Sequence, residues 1–172
     1  MTWEFEWLHG LQEIHDPLLD KLMVFLSTLG NAGVLWIGLS LVLLMIKKYR
    51  QTGIQMLITI AFSFILANLI LKNLVARERP CWLDTQVPLL VPNPTDYSFP
   101  SGHSVNGFAA SVALLCNNKR LGIPAVLLAA TIAFSRLYLF VHFPTDVFAG
   151  IAIGTTCAIL VHVIYGRITE RK

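Results

Sequence analysis

Eight residues between positions 72 and 146 of this 172-residue chain have the types and spacing of a site for phosphate: Lys72, Arg79, Ser101, Gly102, His103, Arg136, His142 and Asp146. They fall in three segments, 72–80, 100–103 and 135–146. A phosphoryl group in transfer is a trigonal unit with negative charge on its equatorial oxygens, so the protein's part is positioning and charge stabilisation. Lys72, Arg79 and Arg136 supply cations, and arginine adds a planar fork that holds two oxygens at once. Ser101 and Gly102 stand just before an apolar run, where a helix N-terminus presents backbone N–H groups and glycine permits close approach.

His142 and Asp146 form the second element. With Pro144 at the first helical position, Asp146 lies one turn in and is expected to accept the Nδ1–H of His142. That contact fixes the tautomer and leaves Nε2 as a nucleophile. His103, at the start of a helix beside the pocket, suits a group that protonates a departing oxygen and later deprotonates a water. Taken singly, each has a plainer explanation. Lys72 would be an interfacial lysine, Arg79 a loop cation, Asp146 a carboxylate favouring a helix dipole, and His103 a cap. Charges this close to a bilayer are costly, and several converging favour function. His9, His15 and His162 have no such company and are expected to pack, with Asn68 and Asn106 as hydrogen bonders between helices.

The elements that must position these residues are membrane helices. Hydrophobic residues make up 55% of the chain and charged ones 13%, about half the charged share of a soluble domain. Apolar runs span 17–30, 32–46, 54–71, 104–116, 121–134 and 147–165, predicting an all-α integral membrane bundle of about six transmembrane helices in a single domain, 1–172. The site residues then sit at helix ends. Basic clusters Lys47/Lys48/Arg50, Lys119/Arg120 and Arg167/Arg171/Lys172 fall on one side, which the positive-inside rule makes cytoplasmic. The site is then expected on the other, outer side. The net charge of +3 is therefore topological, and no basic patch with interleaved aromatics points to nucleic acid. Residues 1–16 alternate Trp3, Phe5, Trp7, Leu8, Leu11 and Ile14 with Glu4, Glu6 and Glu13, a pattern for an interfacial helix; with the short, acid-flanked run 17–30, five crossings instead of six are also open. The outer loop 81–99 carries Trp82, Leu89, Leu90, Val91 and Phe99 with several prolines, either a stiff apolar rim at the headgroups or ordinary packing. Cys81, Cys116 and Cys157 build no disulfide framework.

The three segments match K-x6-R-P, P-S-G-H and S-R-x5-H-x3-D, and the chain resembles the type 2 phosphatidic acid phosphatase family from Lys72 onward. The resemblance implies a core like that of acid phosphatases and vanadium haloperoxidases, a phosphohistidine on His142 oriented by Asp146, His103 as acid, and Lys72, Arg79, Ser101, Gly102 and Arg136 as phosphate cradle. It implies no metal and no cofactor. The implied partner is a membrane lipid phosphate or diphosphate in the bilayer, such as undecaprenyl diphosphate, phosphatidylglycerophosphate or phosphatidic acid. The motifs do not separate a hydrolase from a phosphotransferase, and a non-catalytic lipid-binding protein would have no need of His142, Asp146 and His103 together.

Overall fold

The computed structural model describes residues 2–170, and side chains over 2–169; Arg171 and Lys172 of the last basic cluster lie outside the described residues. The described residues form helices and no strands, in the order α1 (Thr2–Gln12), α2 (Pro17–Leu29), α3 (Val34–Met45), α4 (Arg50–Phe64), a π-helical stretch Ile65–Leu71, α5 (Lys72–Val75), α6 (Pro80–Leu83), α7 (Gly102–Asn117), α8 (Lys119–Tyr138) and α9 (Pro144–Glu170). Local chemistry sets the boundaries. Asp16 caps α2 by accepting from Leu18 N at 2.9 Å and Leu19 N at 3.4 Å, with Pro17 at the first position, where its missing N–H costs nothing. Asn118 caps α8 through Leu121 N at 3.2 Å, and Pro144 opens α9.

α7 is the axis of the bundle. Ser104 to Leu114 are all buried, enclosed by α4, α8 and α9. Its neighbour α9 comes so close that a Cβ added at Gly154 would lie 2.5 Å from Val105 O and 2.8 Å from Ala109 N. The close approach lets α9 bring its first turn beside the first turn of α7, and a backbone bond from Ser101 N to Asp146 O at 3.1 Å ties the two.

Two ends are defined by contacts. At one, Gln55 of α4 accepts from Asn117 of α7 at 3.0 Å and meets His162 of α9 at 3.1 Å. At the other stand Lys72, Gly102, His103, Arg136 and Asp146, from α5, α7, α8 and α9. The π-helical stretch runs directly into Lys72; such irregularities are frequent at functional sites.

The first two apolar runs do not fold back on each other. α2 and the segment 31–45 are bent by only 46°, at a break where Ala32 and Gly33 take φ of +50° and +68°. Asp20 of α2 accepts from Tyr138 Oη at 2.6 Å, whereas Leu43 of α3 lines an apolar groove with Leu114 and Leu121. Tyr138 and Leu121 are 17 residues apart on α8, about 25 Å by helical rise. The two legs lie end to end along α8 as one bent pair, and six separate crossings are not confirmed among the described residues. Residues 47–83, 119–138 and 144–169 are long and apolar enough to span a bilayer, and the bent pair makes a fourth such span. Met45, Leu74 and Leu18 are among many large apolar side chains on the outer surface, which suits lipid contact. This is a membrane protein. α1 lies at the end that holds the site residues, with Trp3 and Trp7 exposed and Glu4 buried.

Candidate active site

One cavity of about 480 Å³ is lined by Asn68, Lys72, Arg79, Gly102, His103, Asn106, Arg136 and His142, together with Ser27 and Asn31 from the α2–α3 break and residues 91–96 of the outer loop. Six of the eight predicted residues therefore share one lining or lie at its wall. Ser101 is buried behind it as the residue before α7, and Asp146 is buried beneath His142.

His142 follows α8 in a short buried loop. Arg79 Nη1 lies 3.2 Å from its Nε2, and because a guanidinium only donates, Nε2 is the acceptor and the neutral ring carries its proton on Nδ1. Burial first, then the positive charges of Arg79, Arg136 and Lys72 and the neighbouring His103, hold the ring well below its ordinary pKa, so the lone pair on Nε2 is free of a proton at neutral pH. Asp146 does not accept the Nδ1–H directly. Its Oδ2 is 3.7 Å from Nδ1, beyond a hydrogen bond, and Ser98 stands between, 3.3 Å from Nδ1 and 2.5 Å from Asp146 Oδ2. The first-turn position predicted for Asp146 is correct, but that carboxylate turns back to its own helix start, accepting from Phe143 N at 2.8 Å.

The cations are already occupied. Asp96 bridges Lys72 Nζ and Arg79 Nη2, the latter at 2.7 Å, and Arg79 also donates to the carbonyls of Asp96 and Val141, both at 2.7 Å. Burial alone would raise the Asp96 carboxyl, but the Lys72 hydrogen bond and the charges of Lys72 and Arg79 hold it at about 2. An anion thus sits on two of the three cations read as a phosphate cradle. The third, Arg136, donates through Nη1 to Ser27 Oγ, and its buried Nε has no partner among the described residues. His103 Nε2 faces two acceptors, Ser27 O at 3.2 Å and Asn31 Oδ1 at 3.1 Å. It is therefore the donor there, and α2 with its break aims the ring.

A second layer lies behind Asp146. Arg77 donates to Asp146 Oδ1 at 2.7 Å, to Thr145 Oγ1 at 2.7 Å and to Glu4 Oε2 at 2.6 Å, and its guanidinium lies 4.1 Å from the Phe143 ring centre. Thr145 Oγ1 in turn donates to Glu4 Oε1 at 2.7 Å. The buried Glu4 is neutralised by this pairing, which fastens α1 to the start of α9.

Residues 52–170, seven in ten of the chain, match the family model described as the PAP2 superfamily. The chain belongs to that superfamily. It is 37% identical over 143 residues to an undecaprenyl-diphosphatase of Sulfolobus acidocaldarius, covering 83% of this chain and 68% of that one. Its fold matches the crystal structure of a transmembrane PAP2-type phosphatidylglycerolphosphate phosphatase from Bacillus subtilis with a TM-score of 0.80 at 27% identity, over 97% of this chain and 86% of that one. A bacterial vanadium-dependent iodoperoxidase shares the fold with a TM-score of 0.77 at 17% identity, over 93% of this chain and 48% of that one, so the predicted haloperoxidase-like core is present. Like its PAP2 relatives, the chain is a phosphatase.

Sequence reasoning missed the PAP2 protein's Asp96, Ser98, Arg77, Glu4, Ser27 and Asn31. Asp96 and Ser98 lie four and two residues before the P-S-G-H motif in a loop valued for its apolar residues, and Arg77 lies inside the K-x6-R-P spacing. A charge or hydroxyl so near a motif was the available signal. Nothing local marks Ser27 and Asn31, which reach the site only because α2 folds across α8. In the loop 81–99, Trp82, Val87, Leu89 and Val91 rest against the core, while Leu83, Leu90 and Tyr97 are exposed. The three cysteines are free.

Proposed function

We propose that this protein hydrolyses a phosphate from a membrane lipid phosphate or diphosphate through a phosphohistidine on His142, at the extracytoplasmic face of a bacterial plasma membrane. The observation that carries the reading is the cavity in which Lys72, Arg79, Arg136, His103 and the deprotonated Nε2 of His142 converge. Nε2 attacks phosphorus as the bond to the leaving oxygen breaks, and His103, starting as the imidazolium, gives that oxygen a proton and is left neutral. Water then cleaves the P–N bond, with His103 taking a proton from the water. Lys72, Arg79, Arg136 and the N–H groups at the start of α7 stabilise the transferring oxygens.

Two observations support a lipid and an outward site. The cavity opens at an end of the bundle whose flanks are apolar. Lys47, Lys48, Arg50, Lys119, Arg120 and Arg167 all belong to the opposite end, which the positive-inside rule makes cytoplasmic. The named activities of the relatives favour undecaprenyl diphosphate or phosphatidylglycerophosphate, with phosphatidic acid as the third member of the class. A phosphate-release panel on the purified protein with these three lipids tests the reading. Turnover of at least one, abolished by His142→Ala, is expected, and no release from any of them would overturn it.

A further inference from the structure

We propose that Ser98 is a positioning residue for the reaction, relaying the charge of Asp146 to His142 through its hydroxyl. The inference rests on the assignment of His142 as nucleophile. The donors and acceptors permit one arrangement. Arg79 can only donate to Nε2, so the neutral imidazole carries its proton on Nδ1. Asp146 Oδ2 is an acceptor, and at 2.5 Å the single proton of the Ser98 hydroxyl is committed to it. The hydroxyl oxygen is then left to accept the Nδ1–H, 3.3 Å away. The chain of donors runs His142 to Ser98 to Asp146, while the direct histidine–carboxylate separation is 3.7 Å.

The hydroxyl is held for this task. Ser98 is fully buried, and its backbone N–H donates to Arg77 O at 2.8 Å, the residue whose side chain grips the other carboxylate oxygen at 2.7 Å. Both oxygens of Asp146 are thus fixed, one by Arg77 and one by Ser98 and Phe143 N. When Nε2 bonds to phosphorus, the ring keeps its Nδ1 proton and gains positive charge. The polarised Ser98 hydroxyl, backed by the carboxylate, stabilises that charge. No proton leaves Nδ1, and the leaving group takes its proton elsewhere.

A double-mutant cycle separates this from a structural role, because two groups acting in series are not additive. Ser98→Ala should lower kcat by about 10²-fold with KM within about twofold, below the roughly 10⁴-fold of a carboxylate removed from a triad. Ser98→Thr, which restores a hydroxyl, should recover most of the loss; Ser98→Cys, with a weaker donor of similar size, serves where threonine does not fold. The decisive comparison is Ser98→Ala in an Asp146→Asn background. If Asp146 acts through Ser98, the second change should cost no more than about threefold, whereas a further 10²-fold would overturn the relay. A KM rise that accounts for the loss, or no recovery by either hydroxyl or thiol in a folded protein, would also overturn it. His142→Ala keeps the two readings apart: residual turnover there would remove the phosphohistidine itself, while a silent His142→Ala with additive Ser98 and Asp146 losses would remove the relay alone.

Discussion

Replacing Asp96 by asparagine should make the protein bind inorganic phosphate and vanadate more tightly. Asp96 places a carboxylate on Lys72 and Arg79, so an incoming phosphate must first displace it. Two charge-assisted hydrogen bonds would be worth about 1.5–3 kcal/mol each if buried. The Asp96 side chain is 56% exposed, and solvent screening reduces this to about 1 kcal/mol each. Displacement therefore costs about 2 kcal/mol, and an asparagine that keeps one neutral hydrogen bond should relieve most of it, tightening vanadate inhibition by about ten- to thirty-fold. The assay is the inhibition constant for vanadate and for phosphate as product, measured on wild type and Asp96→Asn with one lipid. Acidification should not reproduce the mutant. The carboxyl is depressed to about 2, so the bridge is complete above the ordinary carboxylate pKa of about 4 and is lost only as pH falls through about 2. An unchanged or weaker vanadate constant in Asp96→Asn would refute the idea that this carboxylate competes with phosphate.

Three further outcomes are expected. In a cysteine-free background, Thr85→Cys should react with an impermeant thiol reagent in intact cells and Lys119→Cys should not; the reverse pattern would put the cavity on the cytoplasmic side. His103→Asn should depress phosphatidic acid hydrolysis by about 10²–10⁴-fold and undecaprenyl diphosphate hydrolysis much less, because an alkoxide needs a proton on departure and a phosphate monoester, with a pKa near ~6, does not; equal losses in parallel assays would withdraw its role as acid. Gly154→Ala would force a Cβ to 2.5 Å from Val105 O, where backbone cannot rotate away, so α7 and α9 must part and stability should fall by about 1–3 kcal/mol, visible as a lower melting temperature in detergent. Wild-type melting would show that the two helices have slack the structure does not suggest.

The helical class, the end of the bundle that holds the site and the residues that meet there were legible from motif spacing and loop charge, because residues that face a common phosphate need particular types at particular helix ends. Pro144 and Asp146 fell as expected because proline at a first helical position is a local rule. What was not legible depends on contacts across the fold. Apolar runs of 14 and 15 residues read as two short crossings, and only the packing of Asp20 against Tyr138 and Leu43 near Leu121 shows that they lie end to end along α8. Ser98 was hidden for a related reason. Sequence spacing placed Asp146 one turn from His142, but which hydroxyl enters the gap depends on a loop that returns from 44 residues upstream. Ser27 and Asn31 carry no pattern at all, and their role follows from where α2 crosses α8.

The place of α1 beside the site has a consequence for how the chain enters a membrane. Under the proposed orientation, which sets the far end of α9 in the cytoplasm, the segment before α2 lies with the site residues at the opposite end of the bundle and has to be carried across the bilayer. Its composition suits that passage: Glu4, Glu6, Glu13, Asp16 and Asp20 precede the first basic residue, Lys21, and it is lysine and arginine that hold a flank back. In that orientation the contact of Glu4 with Arg77, which completes the support of Asp146, forms only after this segment has crossed. A lysine-rich tag at the N-terminus would work against both steps, and the same tag after α9 would reinforce the first.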